Sequence, residues 1–333
     1  MLQRIGILCS GGDAPGMNAF LRAAVRSALD LGLAPYGIER GWSGLLSGDL
    51  RLLDSHAVSG IINRGGTMLR TARCPEFRAA EGRQRALRTC REHGLDALVV
   101  CGGDGTFAGA LELHEESGLP IAAAPGTIDN DLVGTDYTIG FQTAVATAVE
   151  AADKIRDTAD SHDRVFVVEV MGRESGSIAL QVAVAAGAEV VLLPERPEIG
   201  AAQAAELLAR ARQQGKKSML VIVAEGAGTG AAVAETISAS EPNLDVRASV
   251  LGYIQRGGVP GSDDRVLATR LGYGAVHALV DLGADCAHHI GEISGHLVRT
   301  PLPEVVGRSK PLPLDLLTLV DVTAGLRVTA QDL

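Results

Sequence analysis

The chain has 333 residues, of which 46% are hydrophobic and 3% aromatic, and its formal net charge at pH 7 is −10. This length is sufficient for two α/β domains with substantial cores. The abundance of small and aliphatic residues favours parallel strands packed under helices over a β-sandwich. The acidic balance argues against the broad basic surface that general nucleic-acid binding needs.

Targeting and redox signals are absent from the sequence. No apolar run reaches the ~18 residues that cross a bilayer, and a strand pattern rather than a signal peptide follows Met1. The five cysteines are odd in number and lack a paired short spacing, which predicts reduced, mostly buried thiols rather than disulfides or a zinc site. We therefore expect a cytoplasmic protein.

Apolar runs alternate with helical patterns, which is typical of a doubly wound parallel sheet. The strands are predicted at residues 4–9, 97–101, 121–124, 165–170, 219–223 and 249–254. The helices are predicted at residues 17–31, 81–93, 107–113, 143–158, 201–214 and 264–282.

Two loops repeat one pattern. Ser10-Gly11-Gly12-Asp13 follows the first strand and precedes a helix, and Gly102-Gly103-Asp104-Gly105 does the same later in the chain. Glycine amides ahead of a helix are placed where the positive end of the helix attracts phosphate. We expect both loops to face one ligand.

Two carboxylates follow the strand at residues 121–124. Asp129 and Asp131 are two residues apart, so extended chain would point both side chains to the same side. A phosphate cradle close to a carboxylate pair suits phosphoryl transfer, in which an acceptor hydroxyl needs a proton acceptor. The alternative is that both are Asx-turn residues.

Seven ordered motifs carry a family resemblance. They are residues 10–18 (SGGDAPGMN), 63–67 (NRGGT), 102–106 (GGDGT), 125–131 (PGTIDND), 134–141 (GTDYTIGF), 168–173 (VEVMGR) and 255–258 (QRGG). Through them the chain resembles bacterial, ATP-using 6-phosphofructokinases over nearly its whole length. A lone Gly-Gly-Asp-Gly would be weak evidence, because many loops contain it by chance.

The resemblance implies an α/β fold of two Rossmann-like, doubly wound lobes with mainly parallel sheets and the active site in the cleft between them. Residues 1–140 and about 253–300 would form the ATP-binding lobe. Residues 141–252 and about 301–333 would form the lobe that binds fructose 6-phosphate.

The implied reaction transfers the ATP γ-phosphoryl group to the 1-hydroxyl of fructose 6-phosphate, giving fructose 1,6-bisphosphate and ADP. Asp129 would accept the hydroxyl proton, Thr127 would orient the reacting groups, and Arg173 would stabilise the transition state. Asp131 would assist the metal or raise the pKa of its neighbour by like-charge repulsion.

Nucleotide binding is implied for the glycine loops and a following arginine. The residues are Gly12, Arg73, Cys74, Gly103, Asp104, Gly105 and Thr106. Asp104 would hold Mg²⁺ between the β- and γ-phosphates of ATP. Cys74 stands where a phenylalanine often packs beside the nucleotide, so adenine stacking is not expected there.

Sugar-phosphate binding is implied for Thr127, Ile128, Asp129, Arg164, Met171, Gly172, Arg173, Glu225, Arg247, Tyr253, Ile254, Gln255 and Arg256. Arginine suits phosphate because its planar fork is always charged, although a single arginine would be interpreted as a solvated surface charge. Arg164 and Arg247 would come from a neighbouring subunit, which implies a homotetramer. Tyr253 replaces a phosphate-binding histidine and cannot become cationic at neutral pH.

Gly105 and Gly126 favour ATP as the phosphoryl donor. Pyrophosphate-using relatives typically carry Asp and Lys at these positions, and the carboxylate would repel the nucleotide α-phosphate. The alternatives are a pyrophosphate-dependent enzyme, another sugar-phosphate kinase of this fold, or a nucleotide-sensing subunit that has lost catalysis. Retention of Asp104, Asp129 and Arg173 disfavours the sensor.

A pocket for an anionic effector, ADP or phosphoenolpyruvate, is implied for Arg22, Arg26, Arg156, Glu189, Lys216 and Lys217. Arg22 and Arg26 are four residues apart and share a helix face, so they can converge on one anion. The alternative is that this face is the solvated side of an amphipathic helix. Ser55 and Gln214 replace an arginine and a lysine of such pockets, so we expect weakened effector binding.

Overall fold

The computed structural model describes residues 2–325, which divide into two compact units. Unit 1 comprises residues 2–128, 132–142 and 256–310, and unit 2 comprises residues 129–131, 143–255 and 311–325. The stretch 301–310 belongs to unit 1, although it was expected in the second lobe. The reason is that Leu302 and Val305 are buried in the core of unit 1. Residues 326–333 of that expected lobe lie outside the described residues.

The elements follow the alternation predicted from the sequence. The strands are β1 (Arg4–Cys9), β2 (Ala34–Ile38), β3 (Leu50–Leu52), β4 (Ala97–Gly102), β5 (Ile121–Pro125), β6 (Val165–Val170), β7 (Val190–Leu192), β8 (Met219–Ala224), β9 (Val246–Val250), β10 (Ala287–Ile293) and β11 (His296–Pro301). The helices are α1 (Met17–Asp30), α2 (Trp42–Ser47), α3 (Ala80–His93), α4 (Asp104–Ser117), α5 (Phe141–His162), α6 (Ser177–Ala186), α7 (Ala201–Gln213), α8 (Gly230–Ser240), α9 (Ser262–Leu282) and α10 (Leu314–Thr323).

The predicted strand over residues 249–254 is wrong. The strand β9 ends at Val250, and Gly252–Gln255 forms a 3₁₀ turn. Gly252 has a φ of 53°, a left-handed conformation that ends the extended chain. Tyr253 therefore lies on a turn, where it is 82% exposed.

Unit 1 contains a seven-stranded sheet in the order β11-β10-β5-β4-β1-β2-β3. The central strands are parallel, and β3 and β11 pair antiparallel at the edges. The chain leaves β1 for β2 on one side, and β4 and β5 lie on the other side. The strand order thus reverses at the carboxyl ends of β1 and β4, where ligands bind in open α/β sheets.

Unit 2 contains a four-stranded parallel sheet in the order β7-β8-β6-β9. Its strands β6 and β8 are rich in valine, and Val167, Val221 and Val223 lie in the core of this unit with α7 and α8 residues. The prediction of doubly wound, mainly parallel sheets is confirmed.

Four of the five cysteines are buried and Cys74 is half-buried, as expected, and all five are free. Within residues 2–325, no helix is both long and apolar enough to span a membrane.

His289 on β10 is an unusual core residue of unit 1. It is fully buried, neither imidazole nitrogen has a hydrogen-bond partner within residues 2–325, and the ring lies 5.3 Å from that of Phe107. Burial lowers the pKa of His289 from 6.5 to about 4, because the low-dielectric core disfavours the charged ring.

We expect His289→Leu to become more stable relative to the parent protein as the pH falls from 7 to 5. The folded-state pKa lies below the unfolded value, so the unfolded chain takes up the proton first and the parent loses stability. This linkage amounts to about 2 kcal/mol between pH 7 and pH 5. Urea unfolding at both pH values measures it, with the exposed His56→Leu as control. An equal loss in the parent and His289→Leu would contradict the assignment.

Candidate active site

The two glycine loops of unit 1 lie side by side. Strands β1 and β4 pair in parallel, so loops 10–13 and 102–105 leave the sheet at the same edge. The Ser10 amide donates to the Cys101 carbonyl (2.9 Å), and the Thr106 hydroxyl donates to the Ser10 carbonyl (3.0 Å). The two loops that repeat one sequence pattern therefore lie next to each other and are joined by hydrogen bonds.

Side chains orient the amides of the first loop. The Ser10 carbonyl is bound by Thr106, and the Gly11 carbonyl accepts a hydrogen bond from the Thr71 hydroxyl (2.8 Å). In a trans peptide the N–H points opposite to the preceding C=O. The amides of Gly11 and Gly12 therefore point away from these two threonines. Thr71 could not be predicted from the sequence, because a lone threonine outside the glycine motifs gives no signal.

The second loop leads directly into a helix. Gly103 is the N-cap residue of α4 and Asp104 its first residue. Within residues 2–325, a Cβ added to Gly105 would meet nothing within 4 Å outside the adjoining backbone of α4, so space is open beside the amino end of the helix. Asp104 is exposed, and its Oδ1 accepts a hydrogen bond from the Gly307 amide (3.2 Å).

A divalent metal fits this arrangement only together with phosphates. Within residues 2–325, no group of three or more His, Cys, Asp or Glu side chains could hold a metal ion. Mg²⁺ commonly takes one or two carboxylates, several waters and substrate phosphates. The exposed carboxylate of Asp104, next to a helix amino end that attracts phosphate, suits such a site.

The segment after β5 reaches the second loop. The Gly126 amide donates to the Gly102 carbonyl (2.9 Å), and the Cβ of Thr127 lies 3.6 Å from where a Gly103 Cβ would be. Thr127 is 8% exposed. Ile128 is fully buried, so only its backbone is available to the ligand predicted there.

The two carboxylates do not lie on extended chain, which corrects the sequence prediction. The strand β5 ends at Pro125, the chain bends at Ile128 and Asp129, and Asn130 has a φ of 50°. Asp129 is 4% exposed, whereas Asp131 is half-buried. Side chains two residues apart point to the same side only on a strand, and residues 129–131 do not form one.

In unit 2, Asp129 lies close to Arg173. The Nε of Arg173 is 3.9 Å from Asp129 Oδ2. Arg173 has a left-handed φ of 53°, and Glu225 supports this turn because its Oε1 accepts the amides of Gly172 (3.1 Å) and Arg173 (2.8 Å). One oxygen of Glu225 is therefore used by the protein itself.

The turn after β9 contributes one buried and two exposed predicted residues to unit 2. Gln255 is fully buried, and its Oε1 accepts the Met171 amide (3.0 Å). Tyr253 and Ile254 are 82% and 57% exposed. The structure therefore brings Met171 and Gln255 together and leaves the other two on the surface of the chain.

Arg164 and Arg247 share one carboxylate in unit 2. Asp245 accepts from Arg164 Nε at Oδ2 (2.6 Å) and from Arg247 Nη2 at Oδ1 (2.9 Å). The hydrogen bond from Arg164, with the charge of Arg247, lowers the pKa of Asp245. The sequence analysis missed Asp245, since its significance comes from the two arginines that it holds.

These two arginines are distant from Arg173 within one chain. Arg164 precedes β6 and Arg247 lies near the start of the adjacent β9, whereas Arg173 follows the carboxyl end of β6. A strand of this length spans roughly 20 Å. One chain therefore does not bring all three arginines to a single ligand.

The remaining predicted arginines belong to unit 1. Arg73 is exposed, directly before Cys74, which is half-buried against the core. Arg256 donates from Nη1 to the Asp13 carbonyl (3.0 Å), which places its guanidinium on the first glycine loop.

The predicted effector residues of unit 2 are mostly engaged by the protein. Arg156 Nη2 donates to the carbonyls of Ala186 and Gly187 at the end of α6 (2.8 Å each). Lys216 donates to Glu189 (3.0 Å) and to the Ala324 carbonyl (2.8 Å). Of the other predicted effector residues, Arg26 and Lys217 are exposed and Arg22 is half-buried on α1. Ser55 and Gln214, the two replacements that remove positive charge, are also exposed.

Comparison with known proteins assigns the family. The phosphofructokinase family profile matches residues 4–279. The chain belongs to the phosphofructokinase family. An ATP-dependent 6-phosphofructokinase 1 of Thermus thermophilus is 52% identical over 325 residues, covering 97% of this chain and all of the relative. An ATP-dependent 6-phosphofructokinase of Bacillus subtilis is 51% identical over 280 residues, 84% of this chain and 87% of the relative.

Solved phosphofructokinases have the same fold. A phosphofructokinase from Saccharomyces cerevisiae superposes with a TM-score of 0.85 at 35% identity, and this chain, 97% covered, spans 46% of that longer chain. A pyrophosphate-dependent phosphofructokinase from Marinobacter aquaeolei gives a TM-score of 0.77 at 21% identity, covering 94% and 86% of the two chains. At that identity the likeness shows the fold alone.

We expect Thr71→Val to weaken binding of a non-hydrolysable ATP analogue about 2- to 10-fold, because the Gly11 carbonyl loses its hydrogen bond and the adjoining amide its orientation. Calorimetric titration measures the affinity. Thr236→Val, which removes a hydroxyl bound to a helix carbonyl in unit 2, is the matched control. Equal affinities of all three proteins would exclude this role for Thr71.

Proposed function

We propose that this protein is an ATP-dependent 6-phosphofructokinase, which transfers the γ-phosphoryl group of ATP to the 1-hydroxyl of fructose 6-phosphate. The observation that carries the proposal is the buried Asp129 with the guanidinium of Arg173 3.9 Å away. Asp129 is only two residues beyond Thr127, which lies beside the phosphate-binding loop. The high identity to ATP-dependent 6-phosphofructokinases supports the same reaction.

On the acceptor side, Asp129 would take the proton of the attacking hydroxyl. Its burial keeps bulk water from competing for the carboxylate. Arg173 would stabilise the charge that develops on the transferred group, and Thr127 would orient the reacting groups.

On the donor side, the oriented amides of Gly11 and Gly12 and the amino end of α4 would bind phosphate oxygens. Asp104 would hold Mg²⁺, which supplies charge neutralisation on the β- and γ-phosphates when it is bound. Arg73, exposed at the surface of unit 1, would add a phosphate contact.

Two glycines support ATP rather than pyrophosphate as the donor. The open space at Gly105 leaves room for a bulky donor beside the amino end of α4. At Gly126 an added Cβ would lie 2.5 Å from Cys101 Sγ and 2.9 Å from Met17 Cε. A lysine therefore does not fit position 126 without a shift of these core side chains.

A homotetramer is part of the proposal. Arg164 and Arg247, at the opposite end of β6 from Arg173, would serve the sugar phosphate bound to a neighbouring subunit. The cytoplasm is the proposed location, in keeping with the five free thiols. Binding of ADP or phosphoenolpyruvate as an effector stays a prediction, as do the roles of the sugar-phosphate residues.

Asp129→Asn is expected to lower turnover with ATP and fructose 6-phosphate by about 10²- to 10⁴-fold, while fructose 6-phosphate still binds, because the general base is lost and the arginines remain. Coupled assay of the bisphosphate and direct binding measure the two effects. Pyrophosphate should not replace ATP in the parent. Near-normal turnover of Asp129→Asn would contradict the role of Asp129 as general base. Efficient use of pyrophosphate by the parent would contradict ATP as the phosphoryl donor.

Mixing two inactive variants tests the subunit-crossing arginines. Arg164→Ala and Asp129→Asn proteins, unfolded together and refolded as hybrids, should regain activity. A site whose own chain keeps Asp129 and whose neighbour keeps Arg164 is complete, which is expected for about a quarter of the sites after random mixing. Refolding each variant alone is the control. No gain in the mixture would place Arg164 in its own subunit's site or outside any site.

A further inference from the structure

Arg256 makes a contact with the first glycine loop that its predicted role in binding the sugar phosphate does not explain. Its Nη1 donates to the Asp13 carbonyl at 3.0 Å. Within residues 2–325 this carbonyl is its one hydrogen-bond acceptor, and no carboxylate is paired with it. A guanidinium has five N–H donors, so most of its donors and its full positive charge are available to an anion.

Gly12 is the residue that lets this guanidinium approach the loop. A Cβ added to Gly12 would lie 2.4 Å from Arg256 Nη1 and 3.2 Å from its Cζ. Apart from the residues next to Gly12 in the chain, the three nearest atoms within residues 2–325 all belong to Arg256. The backbone of Gly12 is not in the left-handed region, so the close approach of Arg256 accounts for glycine at this position.

The bond to Asp13 completes a set of three attachments of the loop. The carbonyls of Ser10, Gly11 and Asp13 accept from side chains of Thr106, Thr71 and Arg256 respectively. These donors are far apart in the sequence, and all three belong to unit 1. Arg256 is the only charged group of the three, and it holds the end of the loop that continues toward α1.

We propose that Arg256 is a positioning residue for the phosphate-binding loop 10–13, which it fixes for the phosphoryl donor before any sugar phosphate is bound. This inference rests on the proposed function and extends it, since the family resemblance assigns Arg256 to the sugar phosphate. Its guanidinium adds positive charge beside the loop amides, so its loss weakens nucleotide binding by itself.

The test measures affinity for a non-hydrolysable ATP analogue with Mg²⁺ and without sugar phosphate, using the full chain. Arg256→Gln is expected to weaken binding about 10-fold, the usual effect of one charge-assisted hydrogen bond. Gly12→Ala, which displaces the guanidinium, should weaken it by a similar factor, and the double variant should be no worse than either single one.

Arg265→Gln is the matched control. Arg265 also donates to a backbone carbonyl of unit 1, that of Pro260 at 2.7 Å, and its replacement should leave the affinity unchanged. An Arg256→Gln protein that binds the analogue like the parent, with only fructose 6-phosphate binding weakened, would overturn the proposal. Additive losses in the double variant would also overturn it.

A second measurement does not depend on nucleotide. Amide hydrogen exchange of residues 10–14 in the ligand-free protein should be faster in Arg256→Gln than in the parent and in Arg265→Gln. Unchanged exchange would refute the positioning role. A parent that binds no ATP analogue, but shows this exchange difference, would instead refute the proposed function and leave the contact of Arg256 with the loop standing.

Discussion

The parallel pairing of β1, β4 and β5 is the constraint on which the proposed phosphate-binding region depends. Because parallel strands end at a common edge, the pairing of the strands alone brings the loops after them close together. Gly102 sets how close they come, since an added Cβ would lie 2.4 Å from Thr106 Oγ1 and 2.5 Å from the Ser10 carbonyl. A side chain there would push apart the helix amino end and the first loop.

Unit 2 positions Asp129 and Arg173 by left-handed backbone turns rather than by sheet register. Two non-glycine residues have left-handed φ values, Asn130 with 50° and Arg173 with 53°. Asn130 directly follows Asp129, and Arg173 carries the guanidinium itself. Such conformations cost about 1–3 kcal/mol each and persist where the surroundings determine them. At Arg173 the surroundings are Glu225, which binds the turn amides, and Gly226, where a Cβ would lie 2.1 Å from the Arg173 carbonyl.

Local patterns predicted the doubly wound α/β fold, but not the strands β2, β3, β7, β10 and β11. The strands at residues 4–9 and 165–170 were predicted to the residue, because apolar runs bounded by loops are local signals. The turn at Gly252 was missed, since nothing in an apolar run shows that one glycine adopts a left-handed conformation. Thr71 and Asp245 were missed because each acts on a group far away in the sequence, a loop carbonyl in one case and a pair of arginines in the other.

The partners of the arginines determine when their charge is available. Asp245 neutralises one of two guanidinium charges, so the pair of Arg164 and Arg247 keeps a net positive charge that can attract a phosphate at any stage. Arg173 and Asp129, 3.9 Å apart, together have no net charge while the carboxylate is ionised. If Asp129 accepts the hydroxyl proton, this pair becomes positive as negative charge moves between nucleophile, phosphoryl group and nucleotide. Proton transfer and transition-state stabilisation would then be coupled. The proton that leaves the hydroxyl would neutralise Asp129, and the positive charge of Arg173 would no longer be offset by that carboxylate.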